Sequence, residues 1–191
     1  MDEDGAATPY AARERFWRGV TSPSPPRRAR RRRWRADPVA AHETGVRPGS
    51  LHELRERIEA NVEDRHRDDF LVLLADGTPV GRIALIEEDF VDGTAEAYLL
   101  LAPEHRRKGI GADALEALTD LAFGELPLHR VEAVTHTDNA AALAVLSGAG
   151  FVREGVRRSS CLHRGRRHDS AVLGLLRAEW DALARPRSWE H

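Results

Sequence analysis

An apolar strand that runs through a proline into Arg-Arg-Lys-Gly-Ile-Gly, and straight on into a helical pattern, constrains this chain more than any other feature. The stretch is LLLAPEHRRKGIGADALEAL, residues 99–118. In a strand–turn–helix unit the first helical N–H groups have no acceptor inside the helix. The aligned peptide dipoles make that end partly positive. Gly109 and Gly111 place no side chain between the backbone and a ligand, and they permit φ > 0. Arg106, Arg107 and Lys108 add formal positive charge around the turn. The combination, from Arg106 through Ile110 to Gly111, suits a diphosphate. It is neither a G-x-x-x-x-G-K-[ST] loop nor a G-x-G-x-x-G fingerprint, because both spacings are absent. Taken alone, R-x-x-G-x-G also reads as a basic surface turn whose glycines serve geometry only.

The rest of the chain surrounds this unit with alternating elements. Residues 1–12 read as a loose tail, 13–181 as one domain, and 182–191 as a C-terminal tail. A first strand is predicted at 13–21 and an arginine-rich helix at 27–38, opened by Pro25 or Pro26. A second helix is predicted over 49–69, with Ser50 as N-cap and Glu53 completing a capping box. Two apolar runs in 70–90 flank Asp76-Gly77, which is a hairpin signal. A strand at 93–103 leads into the turn, and a helix over 112–123 aligns Leu115, Leu118 and Ala122. A strand at 130–137 is followed by a short helix in 139–151 that ends at Gly148 or Gly150. Residues 151–159 and 169–180 read as a closing hairpin around a basic loop, 157–168. The order is antiparallel strands in front, then β-α-β-α-β-β, an α/β chain with a mixed, mostly antiparallel sheet.

Bulk properties remove several functions. The net charge is −2, so no whole-molecule field favours nucleic acid or membranes. With 191 residues the chain is long enough for a proper core. Cys161 is the one cysteine, which forbids an internal disulfide and is compatible with a reducing, cytoplasmic setting. The start, MDEDGAATPY, is acidic and lacks the apolar stretch of a signal peptide. No metal site is expected, because the histidines and the single cysteine lack ligand spacing.

Context sharpens the turn. About thirty residues after it comes DNAAALAVLSGAGFVREG (138–155). With AEAYLLLAPEHRRKGIG (95–111), RWRADP (33–38) and HDSAVLGLLRAEW (168–180), the chain resembles the GCN5-related N-acetyltransferases (GNAT), and within them the RimJ/RimL-like branch. The resemblance implies that R-x-x-G-x-G binds the pyrophosphate of acetyl-CoA. It implies that strands 94–101 and 130–136 are parallel but splay apart to admit the pantetheine arm. Leu99 and Leu101 would then offer backbone groups to that arm and to the thioester carbonyl, and Asn139 would lie near it. No metal is implied, and the form is a monomer or homodimer.

The implied chemistry is direct attack of a primary amine on the thioester carbon. An N-terminal α-amine, with a pKa of about 7.7–8, needs only modest help to lose its proton, whereas a lysine-type amine at about 10.4 needs more. The resemblance implies a peptide N-terminus or a small-molecule amine as the acceptor. Glu96, early in the strand before the turn, is the base candidate. Glu132 and His136 share a face of the next strand and could substitute. The proton donor to the leaving thiolate is where the chain departs from its relatives: Ala142 and Leu146 stand where they place serine and tyrosine. Ser147 is the remaining candidate. Cys161 reads as a passive thiol. Two other readings stand beside the enzyme: a non-catalytic acyl-CoA sensor, and an RNA- or ribosome-binding protein using Arg27–Arg35.

Overall fold

The computed structural model of the protein describes residues 64–163 and 165–190. The expected elements at 13–21 and 27–38, and most of the helix expected over 49–69, lie outside them. Six strands form one sheet: β1 (Asp68–Leu73), β2 (Pro79–Asp89), β3 (Thr94–Leu101), β4 (Arg130–His136), β5 (Val152–His163) and β6 (Arg166–Leu176). Their spatial order is β1-β2-β3-β4-β6-β5. Among the described residues, only β3 and β4 run parallel. Helix α1 (Ile110–Asp120) connects them, continuing into a wider π-helical turn at Leu121–Glu125. Helix α2 (Ala140–Gly148) leads from β4 to β5, and the short α3 (Arg177–Asp181) follows β6.

The alternation of each strand decides what it faces. Ala95 of β3, Val131 and Ala133 of β4, and Ala171, Leu173 and Leu175 of β6 point to one side. There they pack beneath Leu115 and Leu118 of α1, Leu121, Ala122 and Phe123 of the π turn, and Leu146 of α2. This side holds the core, and α1 and α2 cover it. Glu96, Glu132, Val134 and His136 share the opposite face, because they occupy the alternate positions.

The central parallel pair is joined at one end only. Thr94, Ala95 and Glu96 pair with Arg130, Val131 and Glu132, and the register stops there. Neither strand is left without its outer neighbour: β3 stays on β2 as far as Leu101, and β4 stays on β6 to His136. The result is a V that opens toward the turn at 106–111.

Several boundaries differ from the sequence reading. Asp68 and Asp69, expected at the end of a helix, belong instead to β1, since they pair with Leu85 and Ala84. Cross-strand pairing there, reinforced by Arg67 and Arg82 on the Asp69 carboxylate, overrides helical periodicity. Most of the basic stretch 157–168 is strand rather than loop: Cys161, Leu162 and His163 pair with His168, Arg167 and Arg166. The run expected as strand to residue 180 turns helical at Arg177, where Glu179 accepts the Leu176 N–H at 2.9 Å. The stretch 182–190, expected as part of a tail, is docked. Arg185 Nη2 donates to buried Asp120 at 2.6 Å, and the Ser188 N–H donates to its other oxygen at 2.7 Å. Arg187 lies over the Trp180 ring at 4.0 Å.

Candidate active site

The start of α1 is chemically bare. Gly109 is its N-cap, with φ of 82°, and no side chain caps the helix. A left-handed N-cap at this angle suits glycine, and an added Cβ would meet nothing within 4 Å, so the approach is open. Ala112 and Asp113 donate back to the Gly109 carbonyl at 2.9 and 3.2 Å, which begins the helix. Helical geometry leaves the N–H groups of Ile110 and Gly111 without an intrahelical acceptor. Arg107 and Lys108 are exposed beside them. Arg106 turns back instead, and its Nε donates to the Leu101 carbonyl at 3.1 Å. That bond ties the turn to the end of β3. Gly111 differs from Gly109: it is buried, and a Cβ there would make ordinary contact with Leu101 at 3.4 Å and Leu99 at 3.5 Å, so the packing of α1 on β3 does not itself require glycine.

The main chain along the V follows from register. The Ala102 N–H donates to Val80, so in this antiparallel ladder the even residues of β3 direct their backbone groups at β2. Leu99 and Leu101 therefore direct theirs away from β2, toward the V. The Leu101 carbonyl is taken by Arg106, which leaves its N–H and both Leu99 groups. The same reasoning applies to β4. The Thr137 N–H donates to Asp169, so Val134 and His136 turn their backbone groups to the V from the other side. Two facing rows of main-chain donors and acceptors thus stand apart with no strand between them among the described residues.

At the closed end of the V, Glu96 and Glu132 stand side by side. Their environments differ. Glu132 accepts from Arg130 at 3.0 and 2.8 Å, and Arg130 also grips Glu154. Glu96 has no hydrogen bond or ion pair among the described residues. Burial raises its pKa above the ordinary carboxylate range, the Glu87 and Glu132 charges add to that, and Arg157 opposes it. A half-buried carboxylate of raised pKa is a better proton acceptor than an exposed one.

The remaining predicted residues are placed as follows. Asn139 caps α2: its Oδ1 accepts the Ala142 N–H at 3.1 Å, and its Nδ2 donates to Thr135 at 3.3 Å. Ser147 is exposed on α2, one helical step past Leu146, which is buried in the core. Cys161 has neighbours that its sequence context does not reveal. Its thiol donates to the His168 carbonyl at 3.3 Å and lies 4.0 Å from His136 Nδ1. Among the described residues no group of three or more His, Cys, Asp or Glu is arranged to hold a metal ion. No described helix is long and apolar enough to cross a membrane. Arg27–Arg35 lies outside the described residues.

The class of protein that carries this fold and V is given by comparison with known proteins. Residues 13–152 match the acetyltransferase (GNAT) domain family, and the chain belongs to it. It is a GNAT-type N-acetyltransferase. Among its relatives, spermidine N(1)-acetyltransferase of Vibrio cholerae is 28% identical over 131 residues, which are 69% of this chain and 76% of that one. The putative ribosomal N-acetyltransferase YdaF of Bacillus subtilis is 37% identical over 109 residues, 57% of this chain and 60% of that one. The V. cholerae spermidine enzyme crystallised with CoA and spermine shares the fold at a TM-score of 0.76 and 24% identity, over 80% of this chain and 90% of that one.

Proposed function

We propose that this protein transfers the acetyl group of acetyl-CoA to a primary amine, by direct attack on the thioester. The observation that carries the reading is the half-open β3–β4 pair leading to an uncapped helix. An extended thioester arm in the V would meet main-chain partners on both sides, as a strand does. Its diphosphate would meet the free N–H groups of Ile110 and Gly111, the positive helix end, and the Arg107 and Lys108 charges. Arg106 holds the turn in position through Leu101, and Asn139 fixes the start of α2 beside the V.

In this reading the amine enters on the face of Glu96, since α1 and α2 fill the other face. Glu96 takes the amine's proton, directly or through one water. The amine nitrogen bonds to the carbonyl carbon, and the oxygen gains negative charge that the Leu99 N–H stabilises. The carbon–sulfur bond then breaks. The thiolate takes a proton from Ser147 or from water. A thiol with a pKa near that of cysteine, about 8.5, needs little assistance to leave.

The acceptor is an α-amine of a peptide, as in the RimJ/RimL-like branch, or a small-molecule amine. Relatives named for spermidine and for ribosomal acetylation represent the two alternatives. The test is release of free CoA thiol with a panel of peptides and amines, together with the mass of each product. Turnover with a product 42 Da heavier, an added acetyl group replacing a proton (about 42 Da), supports the reading. Tight acetyl-CoA binding with no turnover on any amine would make the protein a sensor instead.

A further inference from the structure

Resting on that reading, one residue on the acceptor face has a further consequence. Arg157 pairs with Ser170 on β6, and Ser170 pairs with His136 on β4. Directly opposed residues share a face. Arg157 therefore stands on the face of Glu96 and Glu132, in the row four residues beyond Glu132. At about 3.3 Å per residue, that row is about 13 Å along the strand from the closed end of the V. Its direction is held by a bulge immediately after it, where residues 158–160 on β5 oppose Asp169 alone. The Ser159 N–H donates to the Asp169 carboxylate at 2.8 Å, which pins the bulge.

The arginine is exposed and makes no hydrogen bond or ion pair among the described residues. It shares this with Arg153, Arg158, Arg166 and Arg167 of the same hairpin, and differs from the arginines that are bound into the fold. Arg130 is held between Glu132 and Glu154, Arg177 is bound to the carbonyls of Phe123, Leu126 and Leu128, and Arg185 is bound to Asp120. The one nearby carboxylate on its own strand, Glu154, is used by Arg130. Asp169 is engaged by Ser159. The charge of Arg157 nonetheless reaches Glu96, whose ionisation it favours. The reaction centre and a bare guanidinium thus overlook the same surface.

We propose that Arg157 determines acceptor specificity by binding a carboxylate of the acceptor. The Arg157 backbone lies about 13 Å along the strands and three strands, about 14 Å, across from Glu96, so about 19 Å away in all. A peptide extends at most about 3.3–3.6 Å per residue, so the acid falls within about the first six residues. The acceptor class is then a peptide N-terminus followed by an acidic residue. A guanidinium suits this task because its planar fork matches a carboxylate. The same charge disfavours a polyamine, whose second ammonium would approach Arg157.

The test compares three acceptors: a peptide with glutamates at positions two to six, the same peptide with lysines there, and spermidine. Each is assayed by thiol release with the wild type, Arg157→Gln and Arg157→Glu. The wild type is expected to prefer the acidic peptide about tenfold or more in kcat/KM, the scale of one charge-assisted hydrogen bond. Arg157→Gln is expected to erase the preference through KM, with kcat compared at a pH well above the Glu96 transition, where Glu96 stays ionised without the Arg157 charge. Arg157→Glu is expected to invert it. The variants are expected to keep the wild-type melting temperature and acetyl-CoA affinity. Equal kcat/KM on all three acceptors in the wild type, or a preference that survives Arg157→Gln, would overturn the role of Arg157 alone. No turnover on any acceptor despite acetyl-CoA binding would overturn the enzymatic reading, and the role of Arg157 with it.

Discussion

β3–α1 and β4–α2 are two copies of one design, a parallel strand turning into a helix that packs on the same side of the sheet. They differ in how their polar groups are satisfied. In β4–α2 the strand carboxylate, Glu132, is neutralised by Arg130, and the helix start is plugged by the Asn139 side chain. In β3–α1 the strand carboxylate, Glu96, has no such partner, and the helix start is an open glycine. Unsatisfied polar groups lower stability, and a fold that can satisfy them once can do so twice. The unit left open is the one whose acid and whose N–H groups are available to substrates.

Four changes break or sharpen that contrast, in order of effect. Glu96→Gln makes the open acid inert, and kcat is expected to fall about 100-fold or more, as for loss of a general base. The pH profile checks the same residue. Its raised pKa means that activity is gained as pH climbs through a value above the ordinary carboxylate range, and the variant is expected to lose that acid limb. Asp120→Ala tests the far end of α1, which is as closed as its start is open. Removing a buried carboxylate that Arg185, Ser188 and Trp180 all reach is expected to cost about 3 kcal/mol in urea unfolding. Burial raises the pKa of Asp120, but the hydrogen bonds from Arg185, Ser188 and Trp180 outweigh it and hold the group below its ordinary value. Its stabilisation is therefore present above the unfolded pKa and lost as pH falls through the depressed one.

Gly109→Asp makes the open helix start resemble the closed one and adds a negative charge. Acetyl-CoA affinity is expected to drop about 100-fold by calorimetry. The position has room for the side chain, but its left-handed backbone adds about 1–2 kcal/mol of strain, so the melting temperature is expected to fall modestly. Asn139→Ala does the converse and unplugs α2. It is expected to cost about 1 kcal/mol of stability while changing acetyl-CoA affinity by less than about threefold. A large loss of affinity there would instead show that Asn139 contacts the arm directly.

How much of this is legible in the sequence depends on how local the cause is. The turn at 106–111, the Asp76-Gly77 hairpin and the strands at 94–101 and 130–136 are written in contiguous residues, because glycine, proline and alternation act within a few positions. Distant partnerships are not. Asp120 meets Arg185 and Ser188 across more than sixty residues, so the final stretch reads as a tail until its contacts are seen. The face of Arg157 depends on a bulge that shifts register, and no pattern of alternation announces it. Helical spacing carried through Asp69 misleads for the same reason, since strand pairing across the sheet decided the matter. The environment of Cys161 needs His136 and His168 brought together from two other strands.

The most direct measurement is residue-by-residue amide exchange by NMR, with and without acetyl-CoA. Leu99 and Leu101 direct their N–H groups into the V, whereas Leu100 is already bonded to β2. Ligand is expected to slow exchange at Leu99, Leu101, Ile110 and Gly111 and to leave Leu100 unchanged. Saturating ligand that protects none of these four amides would contradict binding in the V.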